Sequence, residues 1–562
     1  MTNANDNGND KRWTRRNIVA LFDGQPYIGT EQRMSNMAEC DRIMIAFYRF
    51  QTDGKIAYRR FLGMHGGGGG TSDDRFRDIL NEKVDKDIVS HTGYGGEYPE
   101  NGYWPSPVPN ASPSVSVNKD DPNRCFTYQF CWHGQPEFLI WHRPLMAEFE
   151  RGLQDHDPKY GPDDRMRYGP DAVAAPYWSW EGWDGLSLPQ VISNPIYVVK
   201  TDQWKDQGYP KGSIFPNPFQ RWFAPVSLED QRKEFFPSTL SDNNTTTRSS
   251  AFTDFGAEFD NPWEQISLRS KPSMKDVVQV AIQNPDWLEF CTMKPGVGGG
   301  MWSIENAHNK FHNHVGGNTK GGIQGSGKQE NPDDIEYTGT MSQNQSIFDP
   351  IFFLHHSNVE RQLYSWQRHF FREGETPKPE SVPSNELFSR VLYPWTKPQL
   401  LYQGHLAWDT PSDSSTDGTF RDWWPHTTLP YKYDDYLEPP EIPYYGNIPF
   451  PPNSCDVSIR MKVHMAKRWY KGGEYDLYYI PKSKPADKEL VGAISVLSGV
   501  GGVCAQCSAR QECSVAYEVS DTFKSIACAE EAFKNGELTL IRNEWREIEI
   551  ERIEVEPWRA SS

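Results

Sequence analysis

No stretch of this chain approaches the roughly 18 consecutive apolar residues of a bilayer-spanning helix, so no membrane-embedded role is expected. Cysteine is sparse. Nine in 562 residues cannot form a disulfide scaffold, and the count fits a reducing compartment. Positive charge is in deficit, with 58 Lys and Arg against 76 Asp and Glu and a net charge of −18. Without a basic cluster, neither nucleic acid nor an anionic membrane surface is an expected partner. Residues 1–16 are polar and charged and contain no apolar core of a secretory signal, so the expected location is cytoplasmic or otherwise intracellular. The glycosylation sequons at Asn110 and Asn243 then carry no consequence.

Aromatic residues are plentiful, at 13% with twenty Trp, which suits either an aromatic-lined pocket or a large aromatic core. The length allows one large domain and a smaller one. Met37, Cys40, Ile43, Met44 and Phe47 recur at helical spacing and predict an amphipathic helix within 30–60. Residues 92–123, rich in Pro, Gly, Ser and Asn, read as a long surface loop. Helical pattern returns over 124–153, and again over 300–315 and 350–372, whereas 185–275 reads as irregular with one or two short helices. Six Pro among the fifteen residues from Glu438 to Pro452 mark a linker. Beyond it, alternating stretches from Val457 and from Tyr475 read as strands. The expected organisation is a domain over 1–437, a Pro-rich linker over 438–453 and a β-rich domain over 454–562.

Fourteen His are present, and several fall into tight sets. His308 and His312 are four apart, so on a helix both imidazoles leave one face and can share a metal. His355 and His356 are adjacent and point to different faces, so only one can join the same site. His133 follows Cys131 by two residues, and His142 lies nine further on at a helix start. Ligation by imidazole without carboxylates favours copper, zinc or iron over magnesium and calcium. The zinc-protease pattern requires Glu directly after the first His, and Asn309 stands there instead.

These motifs resemble the type-3 copper family of tyrosinases, catechol oxidases and molluscan hemocyanins, and in particular the long fungal tyrosinases with a C-terminal domain. Cys131-x-His133-Gly134 with Trp141-His142-Arg143 is similar to the first copper motif. Ile304-Glu305-x-x-His308-Asn309-x-x-His312 and Asp349-Pro350-x-Phe352-x-x-His355-His356-x-Asn358 are similar to the second. A further ligand is required upstream, where Tyr58 to Gly66 matches the phrase and supplies His65, with His91 as the competing candidate. The resemblance implies a mainly α catalytic domain, a four-helix bundle holding a dicopper site, followed by a β-sandwich-like domain. It implies one copper on His65, His133 and His142, a second on His308, His312 and His356, and His355 behind them. It also implies a thioether between Cys131 and His133, against a plain buried thiol.

The implied function is that of a tyrosinase, which uses dioxygen as co-substrate to hydroxylate monophenols and oxidise o-diphenols to o-quinones, with pigment (melanin) formation as its use. A catechol or o-aminophenol oxidase without hydroxylation, and a hemocyanin-like oxygen carrier, are the alternatives. Phenols have a pKa near 10, so hydroxylation needs a base, and in related tyrosinases the residues matching Glu305 and Asn309 hold a water for that purpose. Gln343, thirteen residues before His356, and Asn313 fall where the family places its substrate entrance. Two departures stand out. Glu360 replaces the usual Asp and is expected to pair with Arg361 or backbone, and Ser179 replaces an Asp, removing a structural hydrogen bond. Tyr431 and Tyr433 look like the pair that closes the catalytic domain. The tail resembles the fungal domain that covers the entrance and keeps a proenzyme latent, with Leu497 as the candidate plug. Cys504 and Cys507 match its copper-handling pair, against a zinc knuckle with Cys513 and Cys528 or a disulfide. Small phenols are the expected partners, and a homo-oligomer is left open.

Overall fold

A computed structural model describes residues 12–24, 30–53, 58, 61–62, 65, 103–104, 115–116, 133–161, 164–183, 188–221, 248, 273–293, 299–316, 340–342, 346–372, 376–377, 379–401, 417–439, 457–465, 473–496, 514–519, 522–523, 525–542 and 546–560. Its centre is a bundle of helices. Helix α1 spans Thr30–Thr52, and the apolar positions Cys40, Ile43, Met44 and Phe47 that predicted it are buried. Helices α2 (Phe138–Asp155) and α5 (Ile351–Phe370) are buried on every side over Phe138–Gln154 and Ile351–Gln367. A helix without a solvent face belongs at the middle, and these two form the axis around which the others are laid. Phe149 of α2 stacks on Phe353 of α5 at 4.1 Å, and Phe47 of α1 meets both edge-on at 5.2 and 5.8 Å. Helix α3 (Met274–Gln283), started by a Ser273–Asp276 capping box, packs against α4 (Ile304–Gly316) and α5. No helix among the described residues is long and apolar enough to cross a membrane.

A buried ionic network ties the chain's early residues to the bundle. Strand β1 (Trp13–Arg15) pairs in parallel with β2 (Tyr431–Tyr433). Arg15, fully buried, donates to both carboxylate oxygens of Glu150 on α2 at 2.9 and 3.1 Å and to Glu360 on α5. Glu360 also accepts from Arg143 at 3.1 Å and from the hydroxyls of Tyr431 and Tyr433. The expected Glu360–Arg361 pairing is therefore corrected. One helical turn separates Glu360 from His356, so its carboxylate points towards β1 and α2, while Arg361 turns to Glu181 and Asp435 at 2.7 and 2.8 Å. Glu181, two residues after Ser179, accepts from Ser179 Oγ at 2.9 Å and from Asn358 Nδ2 at 2.5 Å.

Beyond Val457 the chain forms a separate β-rich unit with its own buried core. Strands β3 (Val457–Met465), β4 (Gly473–Tyr479), β5 (Glu489–Val496) and β6 (Ser514–Glu518) precede a helix, α6 (Ile526–Lys534). Strands β7 (Leu538–Arg542), β8 (Arg546–Ile548) and β9 (Ile550–Ala560) follow it. One sheet runs β5-β4-β7-β8 and the other β6-β3-β9, with antiparallel pairing throughout. Tyr475 lies opposite Ile494 in the first sheet and Met461 opposite Tyr517 in the second, and all four side chains are buried between the sheets. This is a two-layer sandwich-like unit: the alternation predicted its strands, and the resemblance implied the sandwich.

Two local readings differ from the structure. Within the predicted 92–123 loop, Tyr103–Trp104 pair with Val115–Ser116 as short antiparallel strands. The helix expected over 124–153 begins only at Phe138, because residues 133–137 form the turn that carries His133, with Gly134 at φ 66°.

Candidate metal centre

Seven buried imidazoles converge at the heart of the bundle. His65, His133 and His142 form one group, and His308, His312, His355 and His356 the other; within each, the candidate ligand atoms lie within 4.8 Å of one another. Helix α2 supplies His142, α4 supplies His308 and His312 on one face, and α5 supplies the adjacent pair. The groups face each other. His142 stacks on His356 at 4.3 Å, His133 lies 5.3 Å from His308, and His65 lies 6.0 Å from His356.

Burial disfavours charge on five of these rings, and neighbours set the tautomers of three. Burial, with a neighbouring imidazole against it, takes His142 down to about 3, and burial takes His312 down to about 4. His308, His355 and His356 are pushed well below the ordinary range, first by burial and then by one another. Nδ1 of His142 donates to the Phe138 carbonyl at 2.7 Å, and Nδ1 of His312 to the Met341 carbonyl at 2.7 Å, leaving each Nε2 as a lone pair. Nε2 of His312 is buried and has no hydrogen-bond partner among the described residues. Nδ1 of His308 donates to Asn309 Oδ1 at 2.9 Å, and its Nε2 faces His356 Nε2 at 3.3 Å. Neutral nitrogen lone pairs gathered in a buried space, with their distal N–H groups tied to carbonyls, are the arrangement a soft or borderline cation requires. The donor set therefore fits copper.

His355 and His356 occupy different surroundings. His355 lies flat on Phe311 at 4.0 Å, with Trp180 at 5.6 Å. His356 rests on Phe352 at 4.0 Å and is the member of the pair stacked on His142. Phe352 also touches His65 at 4.7 Å, so one phenyl ring braces both groups. Its position four residues before His356 put it on the same helical face, a signal present in the sequence but not read.

Glu305 is buried and engaged on both oxygens. It accepts from the Gly134 N–H, next to His133, and from Thr292 Oγ1 and the Met293 N–H, both at 2.8 Å. The Nδ2 of Asn309 donates to the Ser495 carbonyl and to Met293 Sδ, each at 3.0 Å. Asn313 donates to the Val496 carbonyl at 3.3 Å, so it faces the tail strand β5. Sequence reasoning missed the roles of Met341, Ser495 and Val496, all exerted through backbone groups that leave no side-chain signature. Cys131, His91, Gln343, Leu497, Cys504, Cys507 and Cys513 lie outside the described residues, and Cys528 is an exposed free thiol.

The family model described as the common central domain of tyrosinase matches residues 91–369, a span that begins after His65. The chain is 28% identical over 269 residues to a tyrosinase of Neurospora crassa, covering 44% of this chain and 35% of that protein. It is 25% identical over 340 residues to hemocyanin 2 of Megathura crenulata, covering 59% of this chain and 7% of that protein. The chain thus spans well under half the length of these curated relatives. Its fold is similar to an oxygen-bound variant of Aspergillus oryzae pro-tyrosinase, with TM-score 0.53, 15% identity, and coverage of 98% of this chain and 94% of that one.

Proposed function

The chain belongs to the type-3 copper family of tyrosinases and hemocyanins, and from that premise we propose that it is a copper-dependent oxidase of the tyrosinase kind. It would act on small phenols, with dioxygen as co-substrate. The observation that carries the reading is the face-to-face placing of two buried histidine groups, with His142 stacked on His356 at 4.3 Å. His65, His133 and His142 would hold one copper, and His308, His312 and His356 the second, with His355 held against Phe311 behind them. Bound copper would supply the redox chemistry with dioxygen that converts phenols to o-quinones.

The residues around the histidines prepare the site rather than react. Phe138 and Met341 carbonyls fix the tautomers of His142 and His312, and Asn309 fixes that of His308. Phe352 and Phe138 exclude water from the rings they touch. For hydroxylation, Glu305 and Asn309 would hold the water that takes the phenol proton. A thioether from Cys131 to His133, a substrate entrance at Gln343 and Asn313, copper handling by Cys504 and Cys507, and latency imposed by the tail all belong to this same proposal.

A second reading, a catechol or o-aminophenol oxidase, has a specific observation in its favour. Glu305 already accepts from three donors, which leaves its lone pairs little capacity to organise a basic water. The deciding experiment loads the chain with copper, releases the tail by limited proteolysis, and follows quinone absorbance from tyrosine and from catechol separately. Quinone from both supports the tyrosinase, and catechol turnover alone supports the second reading. Reversible dioxygen uptake without turnover would instead make it a carrier, and with it the enzyme proposal fails.

A further inference from the structure

Three carboxamides on α4 grip the backbone of one tail strand. Asn306, Asn309 and Asn313 are spaced by three and four residues and therefore share a helical face. The Ser495 N–H donates to Asn306 Oδ1 at 2.9 Å, Asn309 Nδ2 donates to the Ser495 carbonyl at 3.0 Å, and Asn313 Nδ2 donates to the Val496 carbonyl at 3.3 Å. The middle rung differs from its neighbours, because Asn309 Oδ1 also accepts from His308 Nδ1 at 2.9 Å. Its other contact, Met293 Sδ at 3.0 Å, lies in the buried core of the tail. One planar amide thus touches the metal centre with its oxygen and the tail with its nitrogen.

We propose that metal binding at the second histidine group and docking of the tail are coupled through the orientation of the Asn309 carboxamide. The inference rests on the reading of that group as a copper site. For His308 to offer Nε2 to a metal, its hydrogen must sit on Nδ1, and that N–H requires an acceptor. Asn309 supplies Oδ1, which turns Nδ2 towards the Ser495 carbonyl. In the opposite tautomer Nδ1 is a bare lone pair. The amide then turns its N–H to the ring, and its oxygen meets the Ser495 carbonyl, acceptor against acceptor. A buried carbonyl deprived of its donor is costly, so the flipped amide disfavours the docked tail. Linkage makes the effect reciprocal: copper tightens the tail, and the docked tail tightens copper. The tail then acts on the centre through a hydrogen-bond relay, whatever it does by covering the entrance.

Hydrogen exchange of the 489–496 segment in the full chain, with and without added copper, tests this. The coupling expected for two linked sites is about 5- to 150-fold, so copper should slow exchange there by at least about five-fold. Asn309→Asp keeps an oxygen for His308 and replaces the N–H that serves Ser495, and it should erase the copper dependence. Asn306→Ala removes a rung that does not touch His308, and it should speed exchange in both states while preserving their ratio. If Asn309→Asp does not fold, Asn309→Ala takes its place, with the same expected loss. Exchange in the unsubstituted chain that ignores bound copper, or a copper effect that survives in Asn309→Asp, overturns the relay. Chelator competition on the same samples reports copper binding directly. A chain that binds no copper refutes the metal reading and the relay with it, an outcome distinct from copper that binds without reaching the tail.

Discussion

At the scale of single residues, Glu305 is the position where two roles compete. Its carboxylate joins the turn after His133, the Thr292–Met293 segment and α4, which is a structural clamp, and the same group is the proposed partner of a proton-accepting water. Glu305→Gln preserves shape but loses the charge and one acceptor. A base role predicts a fall of about 10²–10⁴-fold in monophenol hydroxylation with diphenol oxidation nearly retained. Equal loss of both rates, measured on tyrosine and catechol, assigns Glu305 to the clamp alone. His426 offers a test away from the centre. Burial, then Arg143 and Arg368, bring its pKa down to about 4. The folded value lies below the ordinary 6.5, so its stability is complete above pH 6.5 and is lost as the pH falls towards 4. His426→Gln should flatten the pH dependence of the urea unfolding free energy in that window by up to one proton, about 1.4 kcal/mol per pH unit. An unaltered slope would show that His426 is not held neutral. At this scale the sequence was legible where side chains themselves converge, as with His308 and His312, and silent where a carbonyl does the holding, as with Met341.

Helices α4 and α5 were legible to within a few residues, because their apolar and histidine positions repeat with helical period and Pro350 precedes the second. The start of α2 was not. Its aromatic pattern continues upstream of Phe138, but Gly134 at φ 66° turns the chain there, and the N–H of that glycine is taken by Glu305 from far along the sequence. A partner 171 residues away is invisible to any local window. The close approach of α1 to α2 is a second tertiary demand. At Gly152 a Cβ would collide with the Phe50 ring. Alanine there has the better helix propensity, by about 1 kcal/mol, yet overpacking costs about 1–3 kcal/mol. Gly152→Ala should therefore lower stability, read as a reduced denaturant midpoint at constant m-value. An unchanged or raised midpoint would mean that α1 moves aside without cost.

For the whole molecule, the junction between bundle and tail is built by two residues that precede the composition break and reach the tail. Met293 precedes α4 in the bundle, yet it is buried in the tail's core with Met461, Tyr475 and Tyr517. Gly300, at φ 56°, lets the bundle approach the Ala516 carbonyl more closely than a side chain allows. Met293→Ala should cost about 2–5 kcal/mol through the cavity it leaves. The loss should appear as faster limited proteolysis of the tail, with the bundle's own unfolding midpoint little changed. A midpoint shift in the bundle with an undisturbed tail would place the weight of this contact on the other side.

Spacing and residue type by themselves determined the helix-borne histidines and the alternating strands of the tail, because each is a local property of a repeating backbone. Tertiary structure alone decided which distant groups meet: His65 beside His133 and His142, Glu360 turned to Arg15 and Arg143 rather than Arg361, and Asn309 between His308 and Ser495. Those choices follow from burial. A charge or amide shut away from water must find a complementary group, and the fold fixes which one is within reach.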